Sequence, residues 1–212
     1  MAAKEAFRLL VPDAHAYFWF DIKAYDKVIQ TLSAAGFTVD PIPLIWIKNM
    51  SGQVNHPDSR WGSSYEACFF CRKGNRPLLK QGGSNVLKHD VVPSNKKIHP
   101  TEKPVALLRH LIETSTVAGE TILDMFGGSG STSEAAIQTG RDYITIERDP
   151  AFREGIISRL SKVPKNDYQG SELQKLAAAA MVDDIIDNLE IEDTGEEMDE
   201  DEARDWEEAL KE

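Results

Sequence analysis

The sequence of this 212-residue chain predicts an α/β protein with a Rossmann-like, doubly wound sheet of mainly parallel strands. Apolar, strand-like runs alternate with helix-like segments, an order that favours parallel strands joined by right-handed crossovers. One apolar run ends in a glycine-rich turn and the next run ends at an acid, within "TILDMFGGSGSTSEAAIQTGRDYITIERD" (121–149). The length is enough to bury the core of one such domain and to leave an appendage.

The first half of the chain predicts two helices and three strands, beginning with a short helical pattern through Phe7, Leu9 and Leu10. "YDKVIQTLSAAGF" (25–37) predicts a helix that Gly36 ends, because glycine readily adopts the left-handed conformation found at helix C-termini. Runs rich in aromatic and β-branched residues predict strands. The predicted strands are 16–20, 43–48 and 66–72.

The second half of the chain predicts helices alternating with strands. In "KPVALLRHLIETSTVAG" (103–119), Val105, Leu108 and Ile112 share one helical face. Gly119 is predicted to end this helix. The elements that follow are a strand at 121–126, a helix at 131–139, a strand at 143–147 and a helix at 150–161.

Charge is distributed unevenly along the chain, whose formal net charge is −11. Residues 183–212 contain 16 acidic and two basic residues, a net charge of −14, whereas residues 1–182 have a net charge of +3. Such charge blocks usually belong to solvated or disordered segments. We therefore assign residues 1–163 to a folded domain and 164–212 to a helical, then acidic and flexible tail. The tail is either a solubilising extension or a segment that mimics DNA or docks a partner.

The composition predicts a cytoplasmic protein in a reducing compartment. No apolar run approaches the roughly 18 residues of a membrane span, and the N-terminus lacks the pattern of a secretory signal. The chain has two cysteines, Cys68 and Cys71, which lie within an apolar strand pattern. We interpret them as core thiols, because zinc would need two further ligands at suitable spacing. No metal site is predicted.

The glycine-rich turn predicts a site for a nucleotide-like ligand. Glycines in a strand–turn–helix unit let the backbone approach a ligand, and the helix N-terminus offers free N–H groups. Gly127, Gly128 and Gly130 occupy such a turn. Glu147 ends the next strand, where an acid can accept hydrogen bonds from ribose hydroxyls. A tight turn beside a surface glutamate is the alternative, since Ser133 replaces the third glycine of a dinucleotide fingerprint.

The "FGGSG" turn has the form Phe-x-Gly-x-Gly and is preceded by "HPTEKPVALLRHLI". These motifs resemble the S-adenosylmethionine site of the DNA amino-methyltransferases, which methylate adenine N6 or cytosine N4. Their order is similar to the β order of that family. The resemblance extends over residues 8–161 and is most specific over 98–149. It implies the fold predicted above, S-adenosylmethionine as cofactor and DNA as partner.

The resemblance also assigns a cofactor site within residues 98–149. The Lys-Pro segment would border the methionine end of the cofactor, and the phenylalanine and glycines of the turn would line its methionine and ribose. The acid after the second strand would hold the ribose hydroxyls, and the acid before the turn would receive the amino group. The residues so assigned are Thr101, Lys103, Pro104, Asp124, Phe126, Gly128, Gly130 and Glu147.

The family also has an Asp/Asn/Ser-Pro-Pro-aromatic loop, which accepts the hydrogens of the target amine and stacks on the flipped base. No such tetrapeptide occurs in this chain, and the catalytic residues stay unassigned. In "DPAF" (149–152), the nearest match, Asp149 and Pro150 are typical of the start of a helix. "PDAHAYFWF" (12–20) is similar to the strand that follows the loop in relatives. We therefore expect an upstream segment or a second chain to supply the loop.

The polar segments 49–64 and 73–100 are interpreted as long loops, which in compact domains are usually functional or disordered. Within 49–97 we predict the DNA-facing surface, although a merely solvated basic loop is the alternative. The predicted phosphate contacts are Arg72, Lys73, Arg76, Lys80, Lys88, Lys96 and Lys97. Candidates for base edges are Asn49, Gln53, Asn55, Arg60, Asn75 and Asn85, with Trp61 and Tyr65 as candidates for base stacking or packing.

Together these features predict an S-adenosylmethionine-dependent methyltransferase acting on an exocyclic amino group in DNA, with adenine N6 preferred to cytosine N4. The methyl group would pass directly to the amine, and the protein would mainly position the two reactants. The alternative is a non-catalytic remnant that binds cofactor or DNA and acts through its acidic tail. A dehydrogenase is disfavoured by Ser133 and by the Lys-Pro motif. His99, which opens that motif, is predicted to form a local hydrogen bond.

Overall fold

The computed structural model describes residues 2–48, 58–59 and 61–164. The chain divides into two units, Met1–Ala178 and Ala179–Glu212, and the second lies outside the described residues. The predictions for the acidic tail therefore stay predictions. In the described part of the chain, no helix is both long enough and apolar enough to cross a membrane.

The described residues form seven strands and five α-helices, which confirm the helices and strands predicted up to residue 161, with small differences at their ends. The sequence did not predict β2 or β5, because strands of two or three residues are too short to show a pattern. The elements are α1 (Ala2–Leu9), β1 (Ala14–Phe20), α2 (Tyr25–Ala34), β2 (Thr38–Val39), β3 (Leu44–Ile47), β4 (Tyr65–Lys73), β5 (Val86–Lys88), α3 (Val105–Ser115), β6 (Thr121–Asp124), α4 (Ser131–Gln138), β7 (Asp142–Thr145) and α5 (Pro150–Leu160).

Five strands form one mixed sheet in the order β1–β4–β3–β5, with β2 also beside β4. β4 is antiparallel to β1, β2 and β3, and β3 is parallel to β5, so β4 alone runs opposite to the others. No helix separates β3 from β4 among the described residues, and a parallel pair would need such a crossover. β6 and β7 form a separate parallel pair. The predicted α/β fold class is confirmed, but the larger sheet is mixed, since three of its four strand pairings are antiparallel.

The larger sheet is buried on both faces. On one face, Phe69 and Cys71 of β4 pack with Ala6 of α1 and Leu32 of α2. On the other face, Trp46 of β3 packs with Leu107 and Leu111 of α3. Strands buried on both faces lack polar alternation, which is why they appear in the sequence as continuous apolar runs.

Two glycines were predicted to end helices, and the structure confirms only the first of these predictions. α2 ends as predicted, because Gly36 has a φ of 109° and the Phe37 N–H donates to the Leu32 carbonyl over 3.2 Å. This is the hydrogen bond of a Schellman motif. The prediction that Gly119 ends α3 is wrong, because α3 ends at Ser115 and is followed by extended backbone. Gly119, with a φ of 88°, instead forms the turn before β6.

The direction of β4 defines two edges of the larger sheet. β1, β3 and β5 end at one edge, which we call the carboxyl edge, and begin at the other, the amino edge. β4 begins at the carboxyl edge, where Tyr65 pairs with Ile47, and ends at the amino edge, where Lys73 pairs with Ala14. At about 3.3 Å per residue, the two ends of β4 are roughly 26 Å apart.

Candidate functional site

The glycine-rich turn joins β6 to α4 and is held by backbone hydrogen bonds. The Gly127 N–H donates to the Ile146 carbonyl, and the Gly130 N–H donates to the Gly127 carbonyl, each over 2.8 Å. Gly128 and Gly130 have φ angles of 50° and 74°, a region that favours glycine. A Cβ atom on Gly127 would lie 2.4 Å from the Thr145 Cγ2 atom. The turn therefore depends on glycine both for its conformation and for its packing against β7.

Glu147 lies directly against this turn. Its carboxylate accepts the Gly128 N–H over 2.7 Å and the Asp149 N–H over 2.8 Å. Each carboxylate oxygen keeps capacity for a further donor, such as a ribose hydroxyl. Asp149 accepts the Ala151 N–H over 2.8 Å, and Pro150 is the first residue of α5. The interpretation of "DPAF" as the start of a helix is therefore confirmed.

The carboxyl end of β6 places two more predicted residues at the turn. The Asp124 carboxylate accepts the Phe126 N–H over 3.1 Å, and the Asp124 carbonyl accepts the Ile146 N–H over 2.8 Å. Phe126 is 77% exposed, whereas Gly127 beside it is buried. The ring offers a ligand an apolar surface at the entrance to the turn.

The segment before α3 lies against the same turn. The Thr101 N–H donates to His99 Nδ1 over 3.3 Å, so the predicted local hydrogen bond of His99 is confirmed. The His99 ring packs edge-on against Phe152, with 4.5 Å between centroids, and a Cβ atom on Gly128 would lie 3.4 Å from it. Pro104 is buried where α3 begins. The structure therefore brings the Lys-Pro segment and the glycine turn together.

Lys103 connects this segment to the larger sheet. Its ammonium lies 3.2 Å from a carboxylate oxygen of Glu66 and 4.8 Å from the centroid of the Trp19 ring. Glu66 is near the start of β4 and Trp19 is near the end of β1, so both lie at the carboxyl edge. Neither residue was predicted from the sequence. The sequence feature that could have identified Glu66 is an acid near the start of an otherwise apolar strand.

A partly buried arginine joins the segments around the turn. Arg159 of α5 donates to Glu134 of α4 over 2.5 Å and to the Ser129 carbonyl over 3.2 Å. It also donates to Glu102 over 2.7 Å, and these two side chains are 14% and 2% exposed, respectively. Burial lowers the pKa of Arg159, but its hydrogen bonds to the two glutamates raise the pKa above the ordinary value. This group was not predicted from the sequence, although Glu102 stands inside the Lys-Pro motif.

Lys73 and Arg72, two of the predicted DNA contacts, lie at the end of β4 and so at the amino edge. The Lys73 ammonium donates to the carbonyls of Phe7 and Leu10 over 2.6 and 2.5 Å. These carbonyls belong to the C-terminal end of α1 and the turn after it, where a cation stabilises the helix.

Two further predicted DNA contacts, Arg76 and Lys80, follow β4. Arg76 forms a bidentate pair with Glu120, just before β6, over 2.6 and 2.8 Å. Lys80 pairs with Glu113 near the end of α3 over 2.7 Å. Both cations are therefore held by carboxylates close to the amino edge. Whether these four residues contact DNA stays a prediction.

The other three predicted DNA contacts are Lys88, Lys96 and Lys97. Lys88 ends β5 at the carboxyl edge, and the other two lie between β5 and the Lys-Pro segment. All three are exposed, and the Lys97 ammonium donates to the Pro100 carbonyl over 3.1 Å. β3 ends at this edge and β4 begins there, so the segment 49–64 leaves and re-enters the sheet at the carboxyl edge.

The predicted base contacts are only partly described. Asn85 immediately precedes β5 and donates to the Pro43 carbonyl over 3.2 Å, and Asn75 follows β4. Trp61 is exposed and Tyr65 begins β4. The candidates that lie outside the described residues are Asn49, Gln53, Asn55 and Arg60.

Both cysteines are buried and free in β4, which confirms the prediction of core thiols. Burial raises the pKa of Cys71 to about 12 and that of Cys68 well above its ordinary value. Both thiols therefore stay protonated at neutral pH. Across residues 2–48, 58–59 and 61–164, no group of three or more His, Cys, Asp or Glu side chains is placed to hold a metal ion.

Residues 2–158 match the DNA methylase family (N6_N4_Mtase). The chain is 32% identical over 170 residues to the putative methylase YubD of Escherichia coli (strain K12), a match that covers 80% of this chain and 72% of YubD. The structure of the M1.HpyAVI–SAM complex aligns with a TM-score of 0.65 at 22% identity, covering 74% of this chain and 79% of that one. The cytosine-N4-specific PvuII DNA methyltransferase aligns with a TM-score of 0.63 at 20% identity, covering 85% and 74%. These two structures share the fold described above.

Proposed function

Because the chain belongs to the DNA methylase family, we propose that it transfers the methyl group of S-adenosylmethionine to an exocyclic amino group in DNA. One observation carries this proposal: the glycine turn, the acid beside it and the Lys-Pro segment meet at the carboxyl end of β6. The cofactor is S-adenosylmethionine, which is also the ligand in the M1.HpyAVI–SAM complex. Adenine N6 is the target that we propose in preference to cytosine N4.

The charges around the turn suit this cofactor. Asp124 and Glu147 place two carboxylates beside it, and the cofactor carries a positive sulfonium and a positive ammonium. We assign Glu147 to the ribose hydroxyls, and the exposed Phe126 ring and the turn to the methionine and ribose. Thr101 and Lys103 then border the methionine end. Carboxylates at the start of α4 would repel a phosphate ligand, which is the common alternative at such turns.

In this proposal DNA binds at the carboxyl edge, because the target amine must reach the methyl group there. Lys88, Lys96 and Lys97 contact phosphates at that edge, and the segment 49–64 contacts bases. The basic residues of the amino edge lie roughly 26 Å away, across the length of β4. Three of those four side chains already contact carbonyls or carboxylates.

A strand carrying the catalytic loop would fit between β1 and β6. Within the described residues, β1 pairs only with β4 and β6 only with β7, so each strand has one side without a strand partner. Met125, which follows β6, packs against the same core cluster as Phe18 and Phe20 of β1. The unpaired sides of β1 and β6 therefore lie near the same part of the core. We propose that an upstream segment or a second chain supplies this strand and its loop.

The test has two measurements: calorimetric binding of S-adenosylmethionine to this chain, and transfer of its labelled methyl group to unmethylated DNA. We expect binding by the chain alone, and N6-methyladenine, identified by mass spectrometry, once a segment with the catalytic loop is added. Absence of cofactor binding would overturn the proposed cofactor site. N4-methylcytosine as the product would overturn the choice of base, and methylation by the chain alone would overturn the need for an added loop.

A matched pair of glycine variants tests the site itself. A Cβ atom in Gly127→Ala would lie 2.4 Å from Thr145 Cγ2, and such overpacking typically costs about 1–3 kcal/mol. We expect a loss of cofactor affinity of about tenfold or more. Gly83→Ala is the control, because nothing lies within 4 Å of its added Cβ atom. Equal affinity in the two variants would contradict the placement of the cofactor at the turn.

A further inference from the structure

Glu66 lies between two lysines at the carboxyl edge of the larger sheet. One carboxylate oxygen is 2.8 Å from the Lys48 ammonium, and the other is 3.2 Å from the Lys103 ammonium. The Glu66 side chain is 30% exposed, and the next residues of β4, Ala67 and Cys68, are buried. A half-buried carboxylate at the edge of an apolar strand costs desolvation energy unless it is paired.

The first lysine belongs to the proposed cofactor site. Lys103 stands in the Lys-Pro segment, and its ammonium lies 4.8 Å from the centroid of the Trp19 ring. At that distance an ammonium is attracted by the electron-rich face of the indole. Glu66 and Trp19 together therefore restrict a side chain that would otherwise have many rotamers.

The second lysine lies at the base of the segment proposed to recognise DNA. Lys48 directly follows β3, and its N–H donates to the carbonyl of Ser64, just before β4, over 2.8 Å. The Lys48 ammonium lies 5.8 Å from the centroid of the Trp46 ring. Its ion pair with Glu66 therefore connects the base of this segment to β4.

The charge of the cluster suits an anionic ligand group. Burial raises the pKa of Glu66, but Lys103 and Lys48 together lower it below its ordinary value, so the carboxylate is ionised at neutral pH. Two ammonium groups and one carboxylate leave a net positive charge. The carboxylate of the methionine moiety of the cofactor is an anion that this charge would attract.

We propose that Glu66 is a positioning residue that holds Lys103 for the methionine carboxylate of the cofactor and Lys48 at the base of the recognition segment. Through this shared carboxylate, cofactor binding and DNA binding strengthen each other. The inference rests on the proposed function, since it takes the cofactor and DNA sites from it. Coupling of this kind is reciprocal, so each ligand must change the affinity for the other by the same factor.

The test uses S-adenosylhomocysteine, which keeps the carboxylate but cannot donate a methyl group, and an unmethylated DNA duplex. We expect Glu66→Gln to weaken S-adenosylhomocysteine binding about tenfold, because a charge-assisted contact loses its anchor. The ratio of the DNA Kd values without and with S-adenosylhomocysteine should fall towards one in this variant. Glu66→Asp, which keeps the charge, should recover part of the S-adenosylhomocysteine affinity and part of the coupling ratio.

Glu113→Gln is the matched control. Glu113 is 33% exposed and also lies between two cations, 2.7 Å from the Lys80 ammonium and 3.8 Å from the Arg109 guanidinium. It is near the end of α3, close to the amino edge, so its substitution should leave both S-adenosylhomocysteine affinity and the coupling ratio unchanged. Thermal unfolding of both variants shows whether either effect comes from a loss of folding.

A double variant separates positioning from general destabilisation. If Glu66 acts through Lys103, Glu66→Gln should add nothing to the loss of S-adenosylhomocysteine affinity already caused by Lys103→Gln. Native affinity in Glu66→Gln, tighter binding, or additive losses in the double variant would each overturn the inference while leaving the proposed function intact. Failure of the native chain to bind S-adenosylhomocysteine would instead overturn the proposed function, and the inference with it.

Discussion

The carboxyl edge and the amino edge of the larger sheet both have arginine–glutamate pairs near them, but the two pairs differ in burial. Arg159 and Glu102, beside the glycine turn, are 14% and 2% exposed, and the arginine also contacts two further segments. Arg76 and Glu120, beside the amino edge, form a bidentate pair whose side chains are 23% and 33% exposed. Because water screens the second pair, we expect breaking the first pair to destabilise the fold more than breaking the second.

The same comparison divides the basic residues between 72 and 98. In sequence they form one basic stretch, yet the structure places Arg72 and Lys73 at one edge of the larger sheet and Lys88 at the other. Arg72, Lys73 and Arg76 lie at the amino edge, where cations contact carbonyls and carboxylates. Lys88 lies at the carboxyl edge, where it pairs with Ile47. Position relative to the site, rather than charge alone, therefore decides which of them are proposed to contact DNA.

The largest expected effect is on folding stability at the glycine turn. Arg159→Gln would leave the buried Glu102 carboxylate without its cation, and breaking such a pair typically costs about 3–5 kcal/mol. We expect the free energy of unfolding, measured with urea, to fall by that amount. Arg76→Gln is the control near the amino edge, where the pair is more accessible to water and we expect a smaller loss of about 0–1 kcal/mol. Equal losses in the two variants would contradict the contrast between the edges.

An intermediate effect is expected on DNA binding. Each phosphate contact contributes about 0.9 to the slope of log affinity against log salt concentration. Replacing Lys88, Lys96 and Lys97 together by alanine should therefore reduce the magnitude of that slope by about 2–3. Replacing the amino-edge residues Arg72 and Lys80 should leave it nearly unchanged. Both slopes are measured by fluorescence anisotropy titration. A larger change of slope on replacing Arg72 and Lys80 than on replacing the three lysines would place DNA at the amino edge.

The smallest expected effect is a pH dependence at the amino edge. The hydrogen bonds from Arg76 lower the pKa of Glu120, and burial opposes them only in part. A carboxylate with a lowered pKa contributes stability above its unfolded pKa, and this contribution is lost as the pH falls through the folded pKa. The stability difference between the native chain and Glu120→Gln, below about 1 kcal/mol at pH 7, should therefore shrink as the pH falls below about 4.3, the ordinary pKa of a glutamate. A difference that grows on acidification in urea unfolding would contradict the assigned pair.

The sequence alone determined the features that depend on neighbouring residues. Alternating apolar runs predicted the strands and helices, and the glycines and Glu147 predicted a turn with an acid beside it. The local hydrogen bond of His99 and the helix start at Asp149 were also predicted correctly. Each of these follows from backbone conformation or from hydrogen bonds within a few positions, which composition and spacing express directly.

Only the tertiary structure decided which edge each charged residue reaches and which distant residues support the site. The reversed direction of β4 sends Arg72 and Lys73 away from the glycine turn and brings Glu66 to Lys103. Likewise, Arg159 meets Glu102 across 57 positions of the chain. Such contacts depend on strand direction and on the packing of α5 against α4, and no local pattern encodes either of them. For that reason the residues at the turn could be predicted, whereas those that hold them in place could not.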